Sequence, residues 1–329
     1  MHILITGGAG FIGSHLAEHH LAKGDHVHVV DNLSTGCKEN LAQLLGNLKF
    51  RFDCADIRIW PELAETISWA DRVYHLAAVV GVKKVLEDPV QVMSTNIAGT
   101  ERVLQAVHRD PWNPEVIITS SSEVYGFNKE LPFSERTNLI IPSAGRLRWA
   151  YAITKLADEF LGFAYHREHK MDIKVVRLFN TIGPHQTGRY GMVVPSFVKQ
   201  AVNGKPITVY GDGTQTRSFC DVRDTVVALD LLAGNSEAAG KVVNVGSDRE
   251  ISIKALAELV RERAKSSSKV EFISYNKAYG VEFEDIQRRR PDLSILKNLT
   301  GFESKWILEA TLDNLITVAE AEKKAKHNA

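Results

Sequence analysis

Two groups of residues in this sequence have types and spacings suited to chemistry. The first is Gly7-Gly8-Ala9-Gly10-Phe11-Ile12-Gly13, entered from the apolar run Ile3–Ile5 and followed by a helical pattern from Ser14. Glycines at 8, 10 and 13 permit a tight turn, close backbone approach to a pyrophosphate and close helix–strand contact, and Gly7 adds backbone freedom. Unpaired N–H groups at a helix start favour negative charge, so the turn predicts a diphosphate site. Asp31 lies 24 residues after Gly7, at the end of the apolar run 26–30. A carboxylate there accepts hydrogens from a ribose diol and repels a ribose phosphate, which makes NAD rather than NADP the expected cofactor.

The second group is Tyr151-Ala152-Ile153-Thr154-Lys155, at the start of a helical pattern. Four-residue spacing puts phenol and ammonium on one helix face, where Lys155 favours the Tyr151 phenolate and holds a cofactor ribose. Tyr151 then removes a hydroxyl proton as hydride passes to the nicotinamide. Such pairs are common on helix surfaces; the reading gains weight from the glycine turn and from Ser120-Ser121-Ser122-Glu123 at another strand end. Two further segments are weaker cofactor candidates. Asp56-Ile57 follows a third strand and is expected near adenine, and Leu76-Ala77-Ala78 ends a fourth, where small residues line a groove. His75 is read as a local hydrogen-bonding residue rather than a catalyst.

The elements that must position these groups are legible as an alternation. His2–Thr6, His26–Val30, Arg51–Cys54, Arg72–Leu76 and Glu115–Thr119 read as strands, separated by helical segments around 12–19, 36–46, 61–67 and 91–108. Non-alternating apolar strands between helices predict a Rossmann-type α/β fold, a parallel sheet flanked by helices. The pattern resumes with a helix over Tyr151–Lys170 and a strand over Ile173–Leu178. Further helices are expected at 193–203, 252–265 and 308–323. This assigns 1–180 to the cofactor domain, with 221–245 returning to it, and 181–220 and 246–329 mainly to a smaller substrate lobe.

At 329 residues with 44% apolar content, the chain can bury a large core. Its 40 basic and 40 acidic residues cancel, so no global positive field for nucleic acid or anionic membrane exists. The opening apolar run is short and has no basic leader, which predicts a cytoplasmic protein with neither signal peptide nor membrane helix. Cys37, Cys54 and Cys220 lack paired metal-ligand spacing and read as free thiols; no metal site is expected.

Taken together, Gly7–Gly13, Val29-Val30-Asp31-Asn32, Asn96, Ser120–Gly126, Tyr151-x-x-x-Lys155, Arg177–Asn180, Pro206–Phe219 and Arg289-Arg290-Pro291-Asp292 resemble the extended short-chain dehydrogenase/reductase family. The group resembled is the nucleotide-sugar epimerases, dehydratases and decarboxylases, over almost the whole chain. The resemblance implies Tyr151 as base, Lys155 as its electrostatic support and Ser121 as hydroxyl partner. It implies Asn32 and Asn96 at the cofactor, and Ser122 and Asn180 at the substrate. Arg217 and Arg289 would grip phosphate oxygens, and the loop Ile207–Gly213 would bracket the base, with Tyr210 a platform or a packing residue. It also implies a homodimer through a bundle that includes the Tyr-Lys helix, where Leu156, Phe160 and Phe163 supply apolar surface.

Glu123 discriminates among the reactions, as a catalytic carboxylate that helps proton transfer or orients the substrate, or else as a solvated strand-end glutamate. UDP-glucuronate decarboxylases and several dehydratases resemble this chain in having glutamate there, and simple UDP-galactose 4-epimerases generally carry an uncharged residue. Arg289–Asp292 also resembles the decarboxylases. Ala78-Val79-Val80-Gly81-Val82-Lys83 instead resembles uronate 4-epimerases, with Lys83 in place of arginine, where it either meets a carboxylate or is a solvated loop lysine. Decarboxylation of UDP-glucuronate is the leading expectation. A UDP-glucose or UDP-glucuronate 4-epimerase is the main alternative; a 4,6-dehydratase and a non-catalytic nucleotide-binding protein are the others. Gly188–Met192 and Arg146–Trp149 match neither pattern and are candidates for setting sugar preference.

Overall fold

The structure, a computed structural model, describes residues 1–188, 192–279 and 286–327. The chain begins β1 (His2–Thr6), α1 (Phe11–Ala22), β2 (His26–Asp31), β3 (Phe50–Cys54), α2 (Leu63–Trp69) and β4 (Arg72–His75). It continues α3 (Val82–Glu87), α4 (Pro89–Arg109), β5 (Glu115–Ser121), α5 (Ala150–His169) and β6 (Ile173–Leu178). A seventh strand, Val242–Val245, pairs with β6, giving the order Val242–Val245, β6, β5, β4, β1, β2, β3. All of its pairings are parallel. Helices cover both faces, which is why Ile3, Leu4 and Ile5 are consecutive yet all fully buried. Strand order reverses between β1 and β4, and the carboxyl ends of strands at such a switch point open a ligand crevice.

Local chemistry explains the element ends. Asp88 caps α4 by accepting from Gln91 N, with Pro89 at the first helical position where no N–H is needed. Lys170 closes α5 in the left-handed conformation, φ 57°, after a last turn carrying His166, Arg167 and His169. The helix expected over 36–46 is absent apart from the short 3-10 turn Lys38–Leu41. Beside short turn bonds of its own, that segment bonds to the glycine turn: Cys37 N and Asn40 Nδ2 both donate to Ala9 O at 3.0 Å.

A second core, containing Phe197, Ile207, Leu256, Leu312 and Ile316, belongs to a smaller lobe. Helices Val193–Val202, Ile253–Arg263 and Leu308–His327 pack there against the parallel pair Ile207–Tyr210 and Val270–Ile273. A three-stranded sheet orders Glu250–Ser252, Thr216–Ser218 and Arg288–Arg289. The placement of 246–329 needs one amendment. Leu293, Leu296 and Phe302 bury into the large core, because the helix Ser294–Thr300 lies on the helix Val222–Ala233 beside the seventh strand.

Candidate active site

A cleft of about 1000 Å³ runs from the glycine turn across the sheet end to the smaller lobe. Gly7, at φ +72°, cannot take a side chain: a Cβ would stand 2.7 Å from Ala77 N. At Gly13 a Cβ would meet Gly7 O at 2.5 Å, and at Gly8 it would strike Val29. Gly8 therefore serves packing and does not line the cleft, whereas Gly7, Gly10, Phe11, Ile12 and Gly13 do. No side chain caps α1, leaving its first-turn N–H groups for an anion.

Asp31 ends β2 with its carboxylate held in place: Ala9 N donates to Oδ2 at 3.0 Å and Leu33 N to Oδ1 at 2.8 Å. Burial raises its carboxyl above the ordinary range. Gly10 N donates as well, leaving acceptor capacity on the carboxylate for a ribose hydroxyl. Asn32, Asp56, Ile57, Leu76, Ala77 and Ala78 also line the cleft, although Arg58 Nη2 occupies the Asp56 carboxylate at 2.6 Å. Asn96 does not face the cleft. Its amide accepts from Val79 N at 2.7 Å and donates to Val79 O and Thr154 Oγ1, fastening the loop after β4 to α5. His75 bonds Thr6 and Thr100, and burial lowers its pKa to about 3, so it stays neutral.

The reacting centre is built where α5 crosses the ends of β5 and β6. Glu159 of α5 accepts from Arg177 Nε and Nη2 at 2.9 and 2.7 Å and from the Ser120 hydroxyl at 2.5 Å, locking helix to sheet. That lock brings Tyr151 to Ser121, whose hydroxyls hydrogen-bond. Ser121 Oγ also accepts from Glu123 N at 3.2 Å, capping the turn Ser122–Tyr125. Lys155 is buried on the same face, its ammonium donating to Asp158 Oδ2 at 3.1 Å. Burial pushes the Tyr151 phenol above its ordinary value, with Lys155 opposing. The Lys155 ammonium is held above its own ordinary value by Asp158 and Tyr151 against the effect of burial.

Glu123 is clamped between guanidinium groups. Arg289 Nη1 donates to Oε1 at 2.9 Å, and Arg148 Nη1 lies 3.5 Å from Oε2. Burial alone would raise its carboxyl; Arg148, Arg289 and Arg217 hold it below the ordinary range, so it is a carboxylate. Arg148 stacks 4.5 Å from the Trp149 ring centroid. Arg289 also donates to Asn180 Oδ1 at 2.7 Å, and Asn180 Nδ2 donates to Ser218 O. Parallel register sets Arg289 beside Arg217, which is why residues 72 apart share one wall.

Ser122, Asn180, Tyr210, Arg217 and Arg289 line the cleft. The Lys83 side chain lies outside the described residues, as do 189–191 of the Gly188–Met192 segment. Sequence reasoning missed Arg148 as a Glu123 partner, although Arg146–Trp149 had stood out as unusual. It also missed Asp158, and Tyr275, whose hydroxyl accepts from Gln215 at the far end of the cleft. Spacing within α5 was the available signal for Asp158; none existed for Tyr275. Among the described residues no helix is long and apolar enough to cross a membrane, and no group of three or more His, Cys, Asp or Glu could hold a metal ion.

The model of the NAD dependent epimerase/dehydratase family matches residues 3–246. A UDP-N-acetyl-alpha-D-glucosaminuronate decarboxylase from Bacillus cytotoxicus is 38% identical over 316 residues, covering 95% of this chain and 96% of that one. UDP-glucuronic acid decarboxylase 1 from Arabidopsis thaliana is 36% identical, covering 96% of this chain and 69% of that one. A solved UDP-glucuronic acid 4-epimerase from Bacillus cereus, in complex with UDP-glucuronic acid and NAD, is similar with a TM-score of 0.87 at 29% identity. It covers 98% of this chain and 100% of that one. The glycine turn, Asp31, Glu123 and the Tyr151–Lys155 pair all fall within the matched span. The chain belongs to the NAD dependent epimerase/dehydratase family, and it is an enzyme whose cofactor is NAD.

Proposed function

We propose that this enzyme decarboxylates UDP-glucuronate to UDP-xylose through transient oxidation at the sugar C4. The observation that carries the reading is Glu123, held ionised by arginines at the Tyr151 end of the cleft. The curated relatives support it, since those at 34–38% identity are named as decarboxylases of UDP-linked uronic acids.

The glycine turn, Asp31 and Lys155 fit NAD, which accepts a hydride from C4 and later returns it. Tyr151 Oη takes the proton of the 4-hydroxyl, and Ser121 Oγ orients that hydroxyl. Lys155 stabilises the phenolate and reaches the ribose. The resulting 4-ketone makes the C6 carboxylate part of a β-keto acid. The C5–C6 bond breaks, carbon dioxide leaves, and the electron pair passes into the ketone as an enolate. A proton added at C5 and a hydride returned at C4 give the pentose nucleotide. Arg217 grips the diphosphate. Arg289, bonded to Glu123 and Asn180, stands at the sugar end, so Glu123 orients guanidinium groups rather than donating a proton.

Incubation with UDP-glucuronate, read by mass spectrometry and nuclear magnetic resonance, is expected to release carbon dioxide and form UDP-xylose. UDP-galacturonate as sole product would replace this reading with 4-epimerisation, which the Ala78–Lys83 loop favours. A parallel incubation with UDP-N-acetylglucosaminuronate reads the preference at C2. We further propose a cytoplasmic homodimer, without nucleic acid or membrane partners. Its contact face lies on α4 and α5, where Val90 and Phe160 are 77% and 68% exposed.

A further inference from the structure

Asp158 is used by none of the steps above. It follows Tyr151 by seven residues and Lys155 by three on α5, so the three side chains share one helix face. Its side chain is fully buried, with Oδ2 3.1 Å from Lys155 Nζ, and it hydrogen-bonds Thr100 of α4. A surface ion pair at this spacing would be solvated and weak. Here Asp158 is sealed from water and Lys155 nearly so, at the cleft wall, so the charge of Asp158 reaches the reacting centre with little screening.

We propose that Asp158 is a positioning residue that sets the working pH of Tyr151: it anchors the Lys155 ammonium beside the phenol and offsets part of its charge. Other groups face this centre from each neighbouring element. Glu123, beyond β5, is bound to Arg148 and Arg289. His75 of β4 is neutral and bonded to two threonines. Glu159 of α5 is committed to Arg177. Among the described residues, Lys155 is the one ion-pair partner of Asp158. Removing the Asp158 charge therefore takes away the offset to the ammonium, which Tyr151 and Glu159 still favour in its charged form.

Subtracting the tyrosinate absorbance of Y151F from that of the parent isolates Tyr151 among 8 tyrosines, using NAD-loaded enzyme without substrate. D158N is expected to lower the midpoint by on the order of one pH unit, and D158E to restore it. The acid limb of kcat/KM with UDP-glucuronate should move the same way. D158S serves the same arm if D158N does not fold. An unmoved midpoint in a folded neutral variant overturns the inference, as does a loss of rate with an unchanged pH profile. The inference rests on Tyr151 as the base and not on the sugar. Absence of any Tyr151-dependent titration would remove base and modulator together, whereas a titration that D158N leaves in place overturns the Asp158 role alone.

Discussion

Glu123 shows how surroundings decide what a carboxylate can do. A proton donor must hold its proton near the working pH, but Arg289 at 2.9 Å and Arg148 at 3.5 Å keep Glu123 ionised. A carboxyl whose folded pKa is depressed stays charged throughout the range above its ordinary value, about 4.3. The pH profile of kcat/KM is therefore expected to lack a Glu123 inflection above that point. E123Q preserves shape and removes the charge that orders both arginines. It should lower kcat by roughly 10²-fold with NAD affinity unchanged. An inflection near neutrality that E123Q abolishes would show that Glu123 carries a proton. Y151F separates binding from chemistry: NAD titration by fluorescence should be preserved and turnover should fall by about 10³-fold. Retained turnover would take Tyr151 out of the base role. Tyr151, Lys155, Ser121 and Glu123 were legible because each lies in a short motif at an element end. The arginine partners of Glu123 were not, since nothing local pairs position 123 with 148 and 289.

Among the elements, the glycine turn is the tightest joint. Gly13 lies where α1 leaves the turn, and an added Cβ would press on Gly7 O at 2.5 Å and Gly8 Cα at 2.6 Å. Both are backbone atoms, which cannot swing aside. G13A should push α1 from β1, destabilising the fold by about 1–3 kcal/mol and weakening NAD binding at the displaced helix terminus. A thermal melt and an NAD titration check the two effects, and a variant with parental values for both would show that the joint has slack. Strands such as β1, β2 and β5 were legible because burial on both faces writes them as apolar β-branched runs, whereas Val242–Val245 was read only as part of a returning segment. The 36–46 segment was not. Its polar helical pattern gives way to bonds from Cys37 and Asn40 to Ala9, contacts that depend on the folded turn. The strand Arg288–Arg289 is too short to leave a period, yet its register sets the two cleft arginines side by side.

Across the whole molecule, the cleft has one wall in each core, so the site depends on both lobes staying seated. The large core supplies β1, β2 and the seventh strand, and the small core carries Ile207–Tyr210 and its helices. Tyr151 and Lys155 lie on α5, the same helix that presents Phe160 to the outside at 68% exposure. The proposed homodimer would cover this phenylalanine, on the catalytic helix next to α4. Sedimentation of the parent protein is expected to give twice the 36.6 kDa chain mass. F160E places a charge at that face. It should shift the enzyme to monomer and also lower activity, because unsupported α5 holds Tyr151 less firmly against Ser121. A dimer unaffected by F160E would move the interface to another surface. A fully active monomer would show that Glu159, through Arg177 and Ser120, holds α5 without help from a partner.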